Sequence, residues 1–393
     1  QSLCMKGRAM KVLHFCKHFS RLSETFIHDY ITELERQGED NHVVTLNRVN
    51  EKSRPFPKIT VLDYPDFWHP RRLWYRALDA VGIREPRTSY WPQIRERLET
   101  AVRKVNPDVI HAHFGPAGVL VAPVGRVLDI PVVVSFHGYD AFELPKRQVW
   151  GSKYPAMFGD VAAVTVVSNV MADHLSDLGA PTEKIDIIRV GKKIENYSYR
   201  DPSLPIRDWI SVGRLVEKKG FSDCIAAFDQ YLVRFPESTL TIIGGGEQLE
   251  FLQKQVKDKE LENNVTMMGR IAHEEVKGEF AEADGFILCS KESEAGDKEG
   301  VPTVLMEAQA TGLPTVATRH SGIPEVIPED NHDLLADEGD TEALADILCY
   351  ISNQSQRELT KIARRGRQKV EEEFNLGREV EKIRDLYRNH VLG

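Results

Sequence analysis

Short runs of β-branched and apolar residues, bounded by turn residues, recur along the whole chain and predict thirteen strands. Several runs are apolar throughout, which is typical of strands covered on both faces. Between them lie segments with apolar residues at helical spacing. This alternation predicts an α/β protein with parallel, doubly wound sheets. The predicted strands span residues 11–15, 42–46, 59–64, 108–113, 131–137, 163–168 and 185–190, then 209–214, 239–245, 265–269, 285–290, 314–318 and 333–336.

The chain is predicted to divide into two domains. Thirteen strands are too many for one comfortable sheet of this type, and the polar, proline-bearing segment at 191–205 has the composition of a linker. We therefore expect an N-terminal domain over residues 10–193 and a C-terminal domain over 205–376. The first nine residues precede a second Met-Lys pair and are treated as a leader outside the fold. The last helix, within 377–393, carries apolar residues at helical spacing, namely Val380, Ile383, Tyr387 and Val391.

Composition and charge narrow the functional classes. Hydrophobic residues make up 41% and charged residues 28% of the 393 residues, as in an ordinary soluble globular protein. The net charge of −9 argues against nucleic acid as a partner. Five cysteines without a C-x-x-C pair argue against a disulfide framework or a zinc site and favour a reducing compartment. The apolar runs are too short to span a bilayer and no secretory segment follows the start, so we expect a cytoplasmic protein.

The stretch GDKEGVPTVLMEAQATGLPTVATRHSGIPEVI, residues 296–327, carries the strongest candidate chemistry. Glu299 ends a loop, and Glu307 lies inside a helix that is predicted to begin near Pro302 or Thr303. The backbone N–H groups between Gly300 and the first helical turn would then form an anion site at a helix N-terminus. A diphosphate bound there would leave Glu307 for ribose hydroxyls and Glu299 for the sugar. The alternative is a loop glutamate and a solvated helix glutamate without function.

A second motif, SVGRLVEKKGF at residues 211–221, supplies cations. Arg214 directly follows a strand, and Lys219 precedes the glycine that would open the next helix. Both are expected at the carboxyl end of the strand, where open α/β sheets bind ligands. Arginine can grip a phosphate with two hydrogen bonds, and lysine adds a mobile charge. The alternative is a turn with surface cations, the role expected of Lys218.

Together the two motifs resemble those of the retaining glycosyltransferases of family 4. That family has the GT-B fold, with two facing Rossmann-like domains and a cleft between them. The resemblance runs from Lys11 to the C-terminal helix, and GDKEGVPTVLMEA is most similar to bacterial enzymes of exopolysaccharide or lipopolysaccharide assembly. It implies that Arg214 and Lys219 hold the donor diphosphate, Glu299 approaches the transferred sugar and Glu307 binds the ribose. It also implies that the final helix returns to the N-terminal domain.

Weaker matches complete the predicted donor site. GGGEQL at 244–249 could let the backbone approach the nucleotide, although a tight turn explains it equally well. Gly269, Arg270 and Ile271 follow a strand where the family reads the nucleobase with backbone groups. The resemblance makes His137 a donor-sugar contact, whereas sequence alone allows a satisfied core histidine. The predicted catalytic residues are thus Glu299 and His137, and the donor-binding residues are Arg214, Lys219, Gly244, Arg270, Ile271, Gly300, Val301, Pro302, Thr303 and Glu307.

The acceptor side departs from the family pattern. Where the family often has a Gly-Gly loop after the first strand, this chain has Ser23, Glu24 and Thr25. The Glu24 carboxylate would serve acceptor hydroxyls or cap the following helix. His111 and His113 alternate on one strand and so face the same side. A metal pair is conceivable, but no third ligand is evident in the sequence, and we interpret them as acceptor-side polar groups.

Residues 68–104 combine basic and aromatic side chains, which suits either ordinary helices or an anionic membrane surface. The second interpretation fits a lipid-linked acceptor and places the protein at the inner face of a membrane.

The sequence therefore predicts a retaining, metal-independent glycosyltransferase without a cofactor, acting on a nucleotide-diphosphate sugar and a glycan or lipid-linked acceptor. A UDP-sugar is favoured and a GDP-sugar is possible. Metal independence is expected because no Asp-x-Asp occurs in the chain, so that Arg214, Lys219 and the helix N-terminus would meet the charge of the leaving group. Two alternatives are a nucleotide-sugar epimerase of the same architecture, which needs no acceptor, and a two-domain binding protein without chemistry.

Overall fold

The computed structural model describes residues 8–21, 24–62 and 91–391. These residues form two compact units. The first comprises the described residues up to Gly191 together with those from Gly377 onward, and the second comprises Lys192–Leu376. Every predicted strand is present, and each unit contains one sheet of parallel strands flanked by helices. The predicted doubly wound α/β class is therefore confirmed.

The first unit has a seven-stranded parallel sheet in the order β3-β2-β1-β4-β5-β6-β7. Its strands are β1 (Lys11–Phe19), β2 (Asp40–Arg48), β3 (Ile59–Val61), β4 (Val109–His113), β5 (Val132–Ser135), β6 (Ala163–Val166) and β7 (Ile185–Ile187). Its helices before the second unit are α1 (Thr25–Arg36), α2 (Trp91–Val105), α3 (Gly115–Leu128), α4 (Tyr139–Phe142), α5 (Gln148–Asp160) and α6 (Asn169–Asp177).

The second unit has a six-stranded parallel sheet in the order β10-β9-β8-β11-β12-β13. Its strands are β8 (Asp208–Val212), β9 (Thr239–Ile243), β10 (Val265–Gly269), β11 (Gly285–Leu288), β12 (Thr315–Thr318) and β13 (Leu335–Ala336). Its helices are α7 (Phe221–Leu232), α8 (Leu249–Asp258), α9 (His273–Glu282), α10 (Thr303–Thr311), α11 (Ile323–Val326), α12 (Thr341–Ser352) and α13 (Gln356–Glu373). The chain then returns to the first unit with α14 (Leu376–Leu386) and a π turn (Tyr387–Val391).

Apolar periodicity explains how the helices pack on the sheets. On α1, Ile27, Ile31 and Leu34 are buried at helical spacing, and Phe26 and Tyr30 pack beside the cluster that contains Ile27 and Ile31. Strands β4, β5 and β6 are buried along their whole length, as expected of strands covered on both faces, although β4 carries His111 and His113. The hydrophobic effect therefore fixes which face of each element turns inward.

Each sheet has one position where the strand order reverses. In the first unit it lies between β1 and β4, and in the second between β8 and β11. Ligands of open α/β sheets bind at such a switch point, beyond the carboxyl ends of the strands. The loops that follow these four strands are therefore where a site is expected.

The segment predicted as a linker is instead packed on the second unit. Lys192 forms a parallel bridge with Asn375, and the side chains of Ile194 and Tyr197 are buried. The boundary predicted near residues 191–205 falls at the start of this segment, between Gly191 and Lys192, and the apolar side chains packed there are scattered among polar ones and leave no periodic signal. The second unit accordingly begins at Lys192, before the predicted boundary at residue 205.

The last helix packs within the first unit. Val380, Ile383 and Tyr387 are buried there, whereas the side chain of Val391 lies outside the described residues. The candidate membrane segment 68–104 is described only from residue 91, where α2 begins. Among the helices of the described ranges, none is long and apolar enough to cross a membrane.

Candidate active site

The second unit brings Glu299 and Lys219 together at its switch point. Lys219 follows β8 and Glu299 follows β11, the two strands that flank the reversal. Lys219 Nζ lies 3.2 Å from Glu299 Oε2, and both side chains are buried. One residue from each of the two sequence motifs therefore takes part in a single ion pair.

Burial and charge oppose each other in this pair. Burial alone would raise the pKa of Glu299, but the ammonium groups of Lys219 and Lys218 outweigh it, and the pKa is lowered. Burial lowers the pKa of Lys219, and Glu299 opposes this shift. Oε1 of Glu299 is buried, and within the described part of the chain it has no hydrogen-bond partner. An ionised carboxylate with one oxygen available is suited to accept a hydrogen bond from a ligand hydroxyl.

Lys218 contradicts its predicted role as a surface cation. It is buried, its Nζ lies 3.0 Å from Asp297 Oδ2 and 3.8 Å from Glu299 Oε1, and it donates to the carbonyl oxygen of Lys298 at 3.1 Å. Residues 217–219 form a 3₁₀ turn, which directs both lysines inward. The lysine therefore fixes the loop of Glu299.

Helix α10 begins at Thr303, as predicted, with Pro302 at the N-cap. Gly300, Val301 and Pro302 are buried, and the first turn carries no acidic side chain. Pro302 itself has no N–H, so the donors of this terminus are those around it. The helix end retains the positive polarity that favours an anion.

Glu307 is buried in α10 and is not the solvated glutamate of the alternative interpretation. Its Oε1 lies 2.6 Å from Nζ of Lys192. Sequence reasoning missed Lys192 because it falls in the segment predicted as a linker. This ion pair fixes the Glu307 carboxylate on α10, the helix that begins shortly after Glu299.

The remaining residues predicted to bind the donor lie near the ends of neighbouring strands. Arg214 is exposed directly after β8, and Arg270 and Ile271 follow β10. A Cβ atom at Gly244 would overlap the carbonyl oxygen of Gly213, so glycine is required for the two loops to approach. The glycines after β9 thus serve packing within the protein.

In the first unit, His137 lies beyond the end of β5 between two aromatic rings. Its ring centroid is 4.7 Å from that of Phe26 and 4.8 Å from that of Phe114. Both ring nitrogens are buried and, among the residues that the structure describes, lack a hydrogen-bond partner. Burial lowers the pKa of His137 to about 3, so the imidazole is neutral near pH 7. It is not the satisfied core histidine of the alternative interpretation.

Asp140, which sequence reasoning missed, orders the backbone around His137. One carboxylate oxygen accepts from the N–H groups of His137 and Gly138 at 3.0 Å each, and the other accepts from Gly115 at 2.9 Å. Burial raises the pKa of Asp140 to about 6, against the stabilising effect of these donors. A single carboxylate therefore joins the loops that follow β4 and β5.

His111 and His113 face the same side of β4, as predicted, with ring centroids 4.5 Å apart. The sequence shows no third ligand beside them, but in the structure His14 of β1 lies opposite His111 in the sheet and its Nδ1 is 3.2 Å from Nε2 of His113. The order β1-β4 cannot be read from sequence spacing. Burial lowers the pKa of all three, that of His14 to about 4.

The three histidines belong to a hydrogen-bonded network. His14 Nε2 lies 3.0 Å from Asn41 Oδ1, and the two nitrogens of His111 lie 2.5 Å from the Tyr387 hydroxyl and 2.6 Å from Ser135 Oγ. Three neutral imidazoles can bind a transition metal. Here these hydrogen bonds already use the nitrogens of His14 and His111 that a metal would need.

The loop after β1 is described in part. Ser23 lies outside the described residues, Glu24 is the N-cap of α1 and Thr25 is its first residue. The Glu24 carboxylate makes no capping hydrogen bond within the ranges that the structure covers, so the capping alternative is wrong. Burial raises its pKa, although Arg21 lies 3.6 Å away.

The sequence matches glycosyltransferase families in both units. The family described as Glycosyltransferase Family 4 matches residues 23–192, and that described as Glycosyl transferases group 1 matches residues 207–369. The putative colanic acid biosynthesis glycosyltransferase WcaL of Escherichia coli strain K12 is 36% identical, over 93% of this chain and 96% of its own length. The chain belongs to glycosyltransferase family 4. This glycosyltransferase is also 37% identical to the amylovoran biosynthesis glycosyltransferase AmsK of Erwinia amylovora, with the same coverage.

Solved structures of other proteins share the fold of the glycosyltransferase. Anabaena HepE in complex with UDP-glucose has a TM-score of 0.74 at 19% identity, covering 96% of this chain and 98% of that one. Sucrose-phosphate synthase of Thermosynechococcus elongatus has a TM-score of 0.72 at 18% identity, with the same coverage. The predicted family and the GT-B fold of two Rossmann-like domains are therefore confirmed.

Proposed function

We propose that this glycosyltransferase moves a hexose from a nucleoside-diphosphate sugar to a glycan or lipid-linked acceptor, with retention of anomeric configuration and without a metal. The buried Lys219–Glu299 ion pair at the switch point carries the proposal, because it offers a cation and an anion to adjoining parts of one donor. A UDP-sugar is the preferred donor and a GDP-sugar the alternative. The names of WcaL and AmsK, which refer to colanic acid and amylovoran biosynthesis, support an acceptor in exopolysaccharide assembly.

In the proposed complex the diphosphate lies against Arg214, Lys219 and the backbone from Gly300 to Thr303 at the start of α10. These groups stabilise the negative charge that develops on the leaving diphosphate. Oε1 of Glu299 accepts a hydrogen bond from a hydroxyl of the transferred sugar. The carboxylate also stabilises positive charge at an oxocarbenium-like centre. Each role follows from the charge of the group and its position beyond the strand ends.

The parts of the donor that do not react bind elsewhere in the same unit. Glu307, held by Lys192, accepts from the ribose hydroxyls. The backbone after β9 at Gly244 approaches the nucleotide, and the backbone after β10 at Arg270 and Ile271 approaches the nucleobase. In the first unit, we assign His137 to the transferred sugar, since its ring nitrogens have no hydrogen-bond partner among the described residues, and we assign Glu24 and Thr25 at the start of α1 to the acceptor.

Calorimetric titration against a panel of UDP- and GDP-sugars, followed by a transfer assay with the donors that bind, tests the proposal. The expected result is tight binding of one class and sugar release that depends on an acceptor. Arg214→Ala should weaken binding roughly 10- to 100-fold, because a charged hydrogen bond contributes about 1.5–3 kcal/mol. Sugar interconversion without acceptor would indicate an epimerase, and binding without turnover would indicate a binding protein.

The absence of a metal requirement has its own test. Transfer activity is expected to persist in excess EDTA, since protein cations neutralise the diphosphate. Loss of activity on chelation that Mn²⁺ or Mg²⁺ restores would contradict this part of the proposal.

A further inference from the structure

His320 is buried and binds the backbone of Glu299. It follows β12, its exposed fraction is 1%, and its Nε2 lies 3.0 Å from the backbone nitrogen of Glu299. A backbone N–H only donates, so Nε2 must carry a lone pair. The ring proton of the neutral imidazole is then on Nδ1, which lies 2.6 Å from Oε1 of Glu338 and donates to that carboxylate. The Nδ1–H tautomer satisfies both contacts.

The neighbouring residue binds the other polar backbone group of Glu299. Ser321 Oγ donates to the Glu299 carbonyl oxygen at 2.6 Å. Glu338 also accepts from the N–H of Glu292, at the start of the same loop, at 2.8 Å. The loop that carries Glu299 after β11 is therefore fastened to the residues that follow β12 and β13.

We propose that His320 is a positioning residue for Glu299, acting through the Nδ1–H tautomer that Glu338 fixes. The inference rests on the proposed function, in which Glu299 contacts the transferred sugar. A misplacement of about 1 Å in such a group costs on the order of 100-fold in rate. Arg214 and Glu307, two of the groups proposed to hold the nucleotide, are not bonded to His320, whereas the backbone of Glu299 is. Loss of His320 should therefore lower kcat far more than it weakens nucleotide binding.

Two substitutions separate the contacts of His320. His320→Gln places an amide oxygen near the position of Nε2, where it can accept from the Glu299 N–H. The shorter side chain in His320→Asn keeps a polar group on the Glu338 side and does not reach Glu299. His332→Asn is the matched control, because its Nε2 bonds the carbonyl oxygens of Pro324 and Ile327 and lies outside this loop.

Transfer kinetics and calorimetry with the bare nucleoside diphosphate give the readout, on variants shown to be folded by circular dichroism. We expect His320→Asn to lower kcat roughly 10- to 100-fold, with nucleotide affinity changed less than about twofold. His320→Gln should recover most of that loss, and His332→Asn should keep the parent kcat. Equal loss in His320→Gln and His320→Asn, or the parent kcat in His320→Asn, would overturn the inference.

A double variant tests whether His320 acts through Glu299. If it does, His320→Asn combined with Glu299→Gln should be no slower than Glu299→Gln alone, whereas multiplied losses would show independent action and overturn the inference. The tautomer is readable without any sugar, by ¹⁵N NMR of labelled histidine. An Nε2–H tautomer would overturn the inference for any donor. Parental turnover in Glu299→Gln together with the Nδ1–H tautomer would instead overturn the proposed role of Glu299.

Discussion

At the residue scale, the ion pair between Lys219 and Glu299 couples two groups that the sequence motifs suggest have separate roles. The lysine is assigned to the diphosphate and the glutamate to the sugar, yet in the free protein they neutralise each other at 3.2 Å. Because both are buried, little solvent screens their attraction. A change at either residue must therefore alter the charge that the other presents to a donor.

Glu299→Gln is expected to separate binding from turnover. The substitution leaves the Lys219 ammonium without its carboxylate partner, so the affinity for a bare nucleoside diphosphate should stay the same or increase. Turnover with the sugar donor should fall, because a carboxamide cannot stabilise positive charge in the transition state. Calorimetry with the nucleotide and transfer kinetics with the sugar donor measure the two effects on one preparation.

Two neighbours provide controls for that prediction. Lys219→Ala removes the cation itself and should weaken binding of the same nucleotide roughly 10- to 100-fold. Asp297→Asn changes the partner of Lys218 and leaves the Lys219–Glu299 pair in place, so it should not raise affinity. If Glu299→Gln weakens nucleotide binding as strongly as Lys219→Ala does, the assignment of Lys219 to the diphosphate and Glu299 to the sugar is incorrect.

At the scale of secondary structure, β1 and β4 concentrate buried neutral histidines in the first unit. His14, His111 and His113 form one network, and His137 lies nearby beyond β5, with its ring 6.1 Å from that of His113. Burial lowers the pKa of all four below the ordinary value near 6.5. The unfolded chain therefore binds protons at mildly acidic pH that the folded unit does not.

The first unit is consequently expected to lose stability as pH falls from about 6.5 toward 4. Each such histidine contributes a slope of about 1.4 kcal/mol per pH unit in the free energy of unfolding. Asp140 acts in the opposite direction, because its pKa of about 6 in the folded state lies above that of an unfolded aspartate. Its protonation in the folded state raises the free energy of unfolding as pH falls through 6, and this offsets the loss from about one histidine.

Urea unfolding at pH 7.5, 6.0 and 5.0, followed by circular dichroism, measures this slope. His14→Asn removes one of the titrating groups and should flatten the slope by about one histidine's share. A free energy of unfolding that does not change between pH 7.5 and 5.0 would show that these imidazoles take up protons in the folded unit over the same pH range as in the unfolded chain.

The junction between β8 and α7 permits a second test at this scale. Gly220 has φ +63, and a Cβ atom there would overlap the carbonyl oxygen of Cys289 at the end of β11. Gly220→Ala should displace the adjacent Lys219, and we expect weaker nucleotide binding by roughly tenfold. Gly278→Ala in α9 is the matched control, since a Cβ there meets no atom within 4 Å. It should stabilise the protein by about 0.5–1 kcal/mol without changing affinity.

The sequence predicts the elements well because their signals are local. The strands at 239–245 and 285–290 and the start of α10 at Thr303 all follow from apolar runs and turn residues. Contacts between residues of different strands and loops cannot be predicted in this way, because they depend on the order of the strands in the sheet. Lys218 looks like any cation in a charged turn, and His14 lies far from His111 along the chain. Asp140 and His320 are missed for the same reason, since each binds the backbone of a residue in another loop. Lys192 is missed because it lies in the segment predicted as a linker.

At the scale of the whole molecule, the C-terminal segment is part of the first unit. Arg384 Nε and Arg388 donate to Oε1 of Glu39 at 2.8 and 2.6 Å, and Oε2 of Glu39 accepts from the backbone N–H of Met10 at 2.7 Å. The Glu39 side chain is buried. Its carboxylate therefore joins the start of the described chain to its last helical segment.

Glu39→Gln is expected to destabilise the first unit by about 3 kcal/mol, because it leaves two partly buried guanidinium groups without their anion. The six-stranded unit, which contains none of these residues, should keep its nucleotide affinity. Thermal unfolding and calorimetric nucleotide titration of the variant test both expectations. Glu381→Gln, a change at an exposed position of α14, the helix that carries Arg384, should alter stability by less than about 0.5 kcal/mol. Equal stability of the two variants would contradict this account.

The return of the chain to the first unit has a consequence for synthesis on the ribosome. His111 and Glu39 emerge early, but their partners Tyr387, Arg384 and Arg388 are translated only after the whole of Lys192–Leu376. At about 5–20 residues per second, the nascent seven-stranded sheet waits roughly ten to forty seconds with those polar groups unmatched. The six-stranded unit, continuous in sequence, can complete its own core during that interval. Maturation of this enzyme should thus finish with the half that is synthesised first, and that half is the one most in need of a chaperone.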